Sequence, residues 1–413
     1  MTAVLAFGTS ACGLLERDLP ESASGFIPQY APGPEYEALF PRYVEMCALS
    51  QFRTVKGQKG GIAGHGVLYL RGACRDATSE IPQLRLCEAT PGPNEGVGVS
   101  VNRWLENANW VAVPGREFFF HGGLEPGETL TQARFDQAVD RAVELGIFRG
   151  TKLAHPPNEP AHASLREFIA KNSAVTDFAI TFGRTVLCTR VPVTEAMLGQ
   201  IVEFLNDVNR QYATGSVEFH WSGYADNCVH LVHNALAAAS IWEPKSVNAI
   251  KIRQFFNIAV PANEFLHLAD RTTQFPLEDF QKVWRDQAAH DSLLEFDWLP
   301  GHPGALLTSM HVHAENELFD TAFRLFVLEL PLHLGSTHRA EELFGDPRFV
   351  DLRKNLEWYG SRYAEIARTH SGDEARVLAG DREGPVRMRY DAYIRKQRDA
   401  VASALARLGP EDG

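Results

Sequence analysis

The stretch YADNCVHLVHNAL at residues 224–236 has the pattern of a helix with a cysteine in its first turn. Asp226 or Asn227 is a suitable N-cap, because its side-chain oxygen can accept a backbone N–H that has no partner within the helix. Apolar residues then recur at near-helical spacing, and the set is Val229, Leu231, Val232, Ala235, Leu236 and Ala239. The stretch therefore predicts a helix that packs through one face and begins beside Cys228.

Cys228 is a candidate nucleophile because of this position. The positive end of the helix dipole stabilises a thiolate, so we expect a lowered thiol pKa. The first backbone N–H groups of a helix can also hold a developing oxyanion. The alternative is a small core residue, since cysteine is among the most buried residue types.

A candidate general base precedes it in the chain. The stretch GGIAGHGVLYL at residues 60–70 places His65 at the start of a short apolar run of good strand formers. The flanking glycines allow another backbone or a substrate to come close. A histidine at the mouth of a buried strand can act as general base to a thiol. The alternative is a structural histidine bonded to a backbone carbonyl.

Together the two stretches resemble the circularly permuted papain-like group, which comprises the permuted NlpC-type cysteine peptidases and the lecithin retinol acyltransferase-like proteins. In that group an apolar strand carries the histidine, and the cysteine opens a helix in a motif like Asn-Cys-x-x-[Phe/Leu]. The matching segment here is NCVHL at residues 227–231. Residues 185–193 and 194–210 read as a strand and an amphipathic helix, which family members often show before this motif. The resemblance covers about residues 47–270.

The resemblance implies an α+β fold, with an antiparallel sheet packed against helices in permuted papain-like order over residues 36–270. It also implies a cysteine hydrolase or acyl transferase that acts on an amide or ester. Cys228 would form the thioacyl intermediate and His65 would move the proton. The substrate would be a small-molecule, peptide or lipid acyl compound, and no metal or organic cofactor is required.

The group also has a polar residue that orients the histidine, and here the candidates are His121 and Asn102. Candidates for the cleft or the oxyanion hole lie around the cysteine, and they are Asn227, Tyr224, His220 and Trp221. Each of these residues also has a simpler explanation as a strand-end, turn or packing residue.

Length and composition restrict the class of protein. A chain of 413 residues favours two or three domains, and its net charge of −12 argues against nucleic-acid binding. The six cysteines form no CxxC pair and no zinc spacing. Cys74 and Cys87 are close enough in sequence to bridge a loop in an oxidising compartment. The oligomeric state stays open.

The N-terminus has two interpretations. Residues 1–13 contain a short apolar stretch that ends in small residues and Cys12. This is compatible with a bacterial lipoprotein signal truncated at its start, which would place the protein in the cell envelope; otherwise we expect a cytoplasmic protein. The remainder of residues 1–35 is rich in Pro, Gly and Ser and predicts a leader or linker. No stretch approaches the ~20 apolar residues of a membrane helix.

Residues 271–413 change in character and predict a helical C-terminal region. Helices are expected at 277–289, 316–330, 349–367 and 387–408. Two shorter predictions concern the preceding part of the chain. An apolar run at 117–122 favours a strand, and 177–193 favours a hairpin that turns at 182–184.

Two rival functions remain. The segment HVHAE at residues 311–315 places His311, His313 and Glu315 on one face of a strand, which is compatible with a metallohydrolase. No HExxH motif supports it. Alternatively, the chain is a catalytically inactive papain-like fold that serves as a binding module.

Overall fold

The computed structural model describes residues 14–18, 33–61, 64–88, 95–154, 164–217, 227–243, 260–322, 324–328, 335–369 and 383–409. Within these ranges the protein is α+β, as the sequence predicts. A six-stranded antiparallel sheet lies at its centre, and helices pack against it.

The strands take their numbers from chain order. They are β1 Leu14–Asp18, β2 Tyr43–Leu49, β3 Phe52–Arg53, β4 Lys59–Gly60, β5 His65–Arg71, β6 Ala73–Arg75, β7 Leu84–Leu86, β8 Val97–Val101, β9 Trp110–Pro114, β10 Val186–Pro192, β11 Leu306–Met310 and β12 Arg324–Leu328. The central sheet has the order β11-β10-β2-β5-β8-β9, and every neighbouring pair is antiparallel. Strand β5, which begins at His65, is therefore an inner strand.

The helices follow in the same way. They are α1 Pro34–Leu39, α2 Arg116–His121, α3 Gln132–Glu144, α4 Leu165–Asn172, α5 Glu195–Ala213, α6 Cys228–Ala238, α7 Pro261–Gln274, α8 Phe280–Arg285, α9 Gln287–Phe296, α10 Gly335–Gly345, α11 Pro347–Val350, α12 Leu352–Thr369 and α13 Gly384–Leu408. No helix in the described ranges combines the length and the apolar character needed to cross a bilayer.

Both faces of the central sheet are buried, and this explains why β2 and β5 are buried at every position. One face contributes Val67 and Tyr69 to a core that includes Phe119, Val139 and Phe168. The other face contributes Leu68 and Val99 to a second core, whose helical members include Leu205, Val232 and Phe265. Helices α5, α6 and α7 supply those last three residues and therefore cover the second face.

Two disulfides cross-link the strands. Cys74 and Cys87 are bonded across the β6–β7 hairpin, as their sequence spacing allowed. Cys47 and Cys188 are bonded between the paired strands β2 and β10, where they lie directly opposite each other. Among the cysteines in the described ranges, Cys228 alone has a free thiol.

The strand and helix predicted before the cysteine are confirmed by β10 and α5. Thr194 caps α5 by accepting the N–H of Met197 at 3.2 Å. The strand predicted at 117–122 is wrong, because the run forms α2. Gly115 has φ +83° and ends β9, and Gly122 closes the helix in the left-handed conformation.

The hairpin predicted at 177–193 is also wrong, since only its second arm, β10, is a strand. The first arm is replaced by a compact turn in which Val175 and Ala179 have φ +60° and +52°. A helix at 316–330 is wrong as well, because β12 occupies 324–328.

The C-terminal region is helical from α10 to α13. It also contributes β11, which pairs with β10 at the edge of the central sheet. Residues beyond 270 therefore complete the sheet of the preceding region, and both regions share the first core.

Candidate active site

Helix α6 begins at Cys228, and Asn227 is its N-cap, as predicted. Oδ1 of Asn227 accepts the backbone N–H of Val229 at 2.9 Å and that of His230 at 3.2 Å. The cap holds the first turn of the helix in place, and the sulfur of Cys228 consequently lies at the positive end of the helix dipole.

The cysteine lies against the start of β5. The backbone N–H of Gly66 donates to Sγ of Cys228 at 3.3 Å. A Cβ atom on Gly66 would lie 3.7 Å from that sulfur and 3.6 Å from Cγ2 of Val229. Helix α6 therefore packs against the strand directly after His65, at a distance that still accommodates a methyl group at position 66.

The expected low pKa of the Cys228 thiol is wrong. Burial raises this pKa above its ordinary value, while the backbone N–H groups of Gly66, Val229 and Cys228 itself act to lower it. Desolvation is the larger effect, because the side chain is only 9 % exposed. The resting protein therefore carries a neutral thiol at neutral pH, surrounded by donors that favour a negative charge.

His65 begins a chain of buried hydrogen bonds. Its Nε2 lies 2.9 Å from Oγ of Ser100 on the neighbouring strand β8. The Ser100 hydroxyl donates to Oδ1 of Asp177 at 2.6 Å, and Nδ2 of Asn102 donates to Oδ2 of the same carboxylate at 2.6 Å. Strand pairing explains the contact between His65 and Ser100. Ser100 lies directly opposite Val67, and His65, two residues before Val67, points to the same face of the sheet.

Burial shifts the pKa values of both ends of this chain. It lowers the pKa of His65 to about 3, and the charge of Arg184 adds to that effect. It raises the pKa of Asp177 to about 7, although the hydrogen bonds from Ser100 and Asn102 oppose the shift. His65 is therefore a neutral imidazole at neutral pH, and in this resting, buried state it is a weaker base than an ordinary histidine.

Arg184 is a buried cation close to these groups. Its guanidinium donates to the carbonyl oxygens of Val175 at 2.5 Å and Ser50 at 2.6 Å. Burial lowers its pKa to about 10, and Asp177 and Cys228 oppose that shift through their charges. The field of Arg184 therefore favours an anion at either of these two residues.

His65 and Cys228 lie at the same end of the sheet but on opposite faces of β5, because His65 shares the face of Val67 and α6 covers the other face. No hydrogen bond joins their side chains in the part of the chain that the structure describes. The connection runs through the Gly66 amide, which is the next peptide group after His65. Since Nε2 of His65 is engaged by Ser100, Nδ1 is the ring nitrogen that has no hydrogen bond among the described residues.

The other predicted site residues have different positions. Asn102 belongs to the Asp177 network, three hydrogen bonds from the imidazole. His121 is elsewhere, with Nδ1 3.0 Å from Oγ1 of Thr181, and burial lowers its pKa to about 4. Tyr224, His220 and Trp221 lie outside the described residues, as does Cys12.

His233, in the second turn of α6, is held by two structural contacts. Its Nδ1 lies 2.5 Å from Oε1 of Glu264 in α7, and its Nε2 lies 2.8 Å from the carbonyl oxygen of Glu243. A carbonyl only accepts hydrogen bonds, so Nε2 carries a proton. These contacts attach α6 to α7 and fix the axis along which Cys228 is presented.

His311 and His313 follow β11 and do not lie on a strand. The backbone N–H of His313 donates to the carbonyl oxygen of Thr181 at 2.8 Å, and its Nε2 contacts the carbonyl oxygen of Glu128. In the residues that the structure describes, no group of three or more His, Cys, Asp or Glu side chains is arranged to hold a metal ion.

The sequence did not point to Ser100, Asp177 or Arg184. Ser100 alternates with valines in VGVSV, and this alternation places it on the opposite face from them, next to the strand that carries His65. That signal could have identified it. Asp177 and Arg184 come from the irregular turn before β10, where no periodicity predicts burial.

Comparison with protein-family models, with curated proteins and with solved structures returned no match to this chain.

Proposed function

We propose that the chain is a cysteine-dependent hydrolase or acyl transferase that acts on an amide or ester bond. The observation that best supports this proposal is the hydrogen-bonded chain His65–Ser100–Asp177. The chain begins next to Gly66, whose backbone N–H contacts Sγ of Cys228. A thiol, a neutral imidazole and a carboxyl group linked to that imidazole thus lie at the start of β5, and this supports the roles of nucleophile, base and orienting group, with proton transfer passing the Gly66 peptide between the two faces of the sheet. The resemblance to the permuted papain-like group supports the same roles.

The first step forms a thioester. His65 accepts the thiol proton of Cys228 on Nδ1 as Sγ attacks the substrate carbonyl carbon, and the carbonyl π electrons move onto oxygen. The backbone N–H of Cys228 at the helix start stabilises this oxyanion. The oxyanion then collapses, the C–N or C–O bond breaks, and the leaving amine or alcohol takes the proton from His65.

The second step releases the acyl group. His65 removes a proton from water, or from an acceptor amine or alcohol, which attacks the thioester carbon. The C–S bond breaks and the sulfur regains its proton from the imidazolium. The resting enzyme thus begins as neutral thiol and neutral imidazole, so proton transfer accompanies attack instead of preceding it.

Asp177 controls which nitrogen of His65 is basic. An ionised Asp177 accepts a hydrogen bond from the Ser100 hydroxyl. Oγ of Ser100 can then only accept a hydrogen bond from Nε2–H of His65, and Nδ1 is left unprotonated. A protonated Asp177 can donate to Ser100, which then donates to Nε2 and forces the proton of the neutral ring onto Nδ1. The base is therefore prepared only when Asp177 is ionised.

The test is acylation of Cys228. Full-length protein is mixed with p-nitrophenyl esters of increasing chain length and with aminocoumarin amides, and intact mass is recorded during turnover. We expect an acyl adduct on Cys228 and a burst of about one product per chain. Cys228→Ala should abolish both, and His65→Gln should slow acylation by at least about 100-fold.

The matched control is His338→Gln, because His338 is an exposed histidine on α10. It should leave acylation unchanged. Turnover that survives in Cys228→Ala would contradict the proposal, as would a folded wild-type protein that acquires no adduct from any ester or amide.

A binding module is the second candidate. It is favoured by the neutral, buried thiol and by the His65 ring, whose observed hydrogen bond goes to Ser100 and not to the sulfur. A wild-type protein that binds an acyl compound reversibly, with equal affinity in Cys228→Ala and without an adduct, would establish this candidate instead.

A further inference from the structure

An open pocket of about 410 Å³ lies at the opposite end of the sheet from Cys228. It includes Gly96, which precedes β8, and Val97 of that strand pairs with Leu70 near the end of β5. His65 begins β5, so the length of the strand separates the pocket from the cysteine by roughly 17 Å. The pocket is therefore distinct from the candidate active site.

Three arginines are among the residues that line this pocket, and they are Arg75, Arg85 and Arg149. Nη1 of Arg75 donates to the carbonyl oxygen of Leu145 at 2.9 Å, which aims the half-buried side chain toward the end of α3. Arg75 and Arg149 make no ion pair with any residue in the described ranges. Burial lowers the pKa of Arg75, and the charge of Arg149 lowers it further.

Three carboxylates limit the positive charge. Glu88 lies 3.3 Å from Arg85, Asp76 interacts with the charge of the same arginine, and Glu95 contributes to the lining. Two of the three carboxylates thus act on Arg85, whereas Arg75 and Arg149 repel each other. A bound anion between them would remove this repulsion.

The pocket is built on a braced hairpin. Arg75 and Arg85 lie on β6 and β7, which the Cys74–Cys87 disulfide connects. Asn206 of α5 attaches the hairpin to that helix through two hydrogen bonds to Leu84 of β7. Its side chain accepts the Leu84 N–H and donates to the Leu84 carbonyl, each at 2.8 Å. Arg75 thus starts from a fixed backbone, which reduces the entropy that its side chain loses on binding.

We propose that this pocket binds a small organic anion, with its phosphate or carboxylate group held by Arg75 and Arg149. A guanidinium matches the geometry of both groups through paired N–H donors. The pocket volume is within the range of about 300–1,000 Å³ that is usual for small-molecule sites and exceeds the needs of a lone ion. Leu145 and Pro114 provide apolar surface for the remainder of the ligand.

The experiment is calorimetric titration of the full chain with three probes: phenyl phosphate, benzoate and inorganic phosphate. We expect phenyl phosphate or benzoate to bind, and the tighter of the two identifies the anionic group. Inorganic phosphate should bind at least about tenfold more weakly, because it lacks the apolar part. Added salt should weaken each interaction.

Two variants assign the site. Arg149→Gln removes an exposed guanidinium that makes no described hydrogen bond, and it should weaken binding about tenfold. Arg75→Gln should do the same, with its fold checked by circular dichroism because it loses the bond to Leu145. The control is Arg141→Gln, since Arg141 is an exposed arginine of α3 paired with Glu144, and it should bind as wild type.

The proposal would be overturned if wild type bound none of the probes at millimolar concentration, or if Arg149→Gln bound them with unchanged affinity. It does not depend on the catalytic proposal. Cys228→Ala should bind the preferred probe as tightly as wild type.

Discussion

Nε2 of His65 lies 2.9 Å from the hydroxyl oxygen of Ser100, and the same hydroxyl donates to Asp177 at 2.6 Å. A carboxylate only accepts hydrogen bonds, so its ionisation fixes the direction of every bond in this chain. The tautomer of one imidazole at the start of β5 is consequently set by a buried acid in the turn before β10.

The first prediction is that acylation of Cys228 depends on the ionisation of Asp177. The pKa of Asp177 is raised to about 7, so the fraction of protein with a basic Nδ1 on His65 increases as pH rises through this value. We expect the rate of acylation by p-nitrophenyl acetate to rise about tenfold between pH 6 and pH 8 in wild type, measured by stopped flow. Deprotonation of the thiol adds a steady increase with pH in every variant, so the test is the inflection near pH 7, which Asp177→Asn should lack. An inflection that persists in that variant would contradict the role of Asp177.

The second prediction concerns stability. Burial raises the pKa of Asp177 from 3.8 to about 7, so between these values the folded state holds a proton that the unfolded state releases. The contribution of Asp177 is therefore fully present below its unfolded pKa and is lost as pH rises through about 7. Urea unfolding should show wild type losing about 2–4 kcal/mol relative to Asp177→Asn between pH 4 and pH 7.

Asp399→Asn provides the comparison, because Asp399 is an exposed acid on α13. Its difference from wild type should stay flat over the same range. An equally flat difference for Asp177→Asn would mean that this carboxyl titrates normally in the folded protein.

The third prediction concerns the thiol. Because burial raises the pKa of Cys228, alkylation by iodoacetamide should be slow at pH 7 and should keep increasing to pH 9 and above. His65→Ala should change this profile little, since the neutral imidazole supplies no charge. Peptide mass spectrometry of Cys228 measures the rate at each pH, with urea-unfolded protein as the reference for a normal thiol. A plateau below pH ~8 would show a thiolate–imidazolium pair instead.

Much of the fold was predictable because local signals and tertiary structure agree. The helix start at Cys228 has a capping residue and an apolar stripe, and α5 has Thr194 and a helical pattern before it. The predictions failed where tertiary packing decides the conformation. The run at 117–122 has strand-forming aromatics. Glycines with positive φ at positions 115 and 122 bound the segment, and the residues between them form the short helix α2.

The candidate site was predictable only in part for a related reason. His65 and Cys228 follow local motifs, whereas Asp177 and Arg184 become neighbours of His65 only after β10 is paired into the sheet. The thiol pKa was predicted in the wrong direction because a helix terminus is visible in the sequence and the degree of burial is not. Desolvation then outweighs the backbone donors.

The fourth prediction compares the two disulfides. Cys47–Cys188 joins residues 141 positions apart, and Cys74–Cys87 joins residues 13 positions apart. Because the longer loop restricts the unfolded chain more, replacing both cysteines of the first pair by alanine should cost about 5 kcal/mol, against about 3 kcal/mol for the second pair. Urea unfolding under non-reducing conditions measures both. A larger loss for the 74–87 pair would mean that folded-state effects outweigh loop entropy.

The fifth prediction tests how closely α6 approaches β5, using two glycines of the central sheet. A Cβ on Gly66 would make ordinary contacts of 3.6–3.8 Å with Val229, Cys228 and Pro261, so Gly66→Ala should change stability by less than about 1 kcal/mol. A Cβ on Gly98 would lie 2.0 Å from the ring of Phe119, which is fully buried, so the ring or the backbone would have to shift. Gly98→Ala should therefore cost about 2–3 kcal/mol. Both values come from urea unfolding. A larger loss of stability for Gly66→Ala than for Gly98→Ala would mean that α6 lies closer to β5 than these contacts indicate. A substrate carbonyl could then not reach Cys228 from that side.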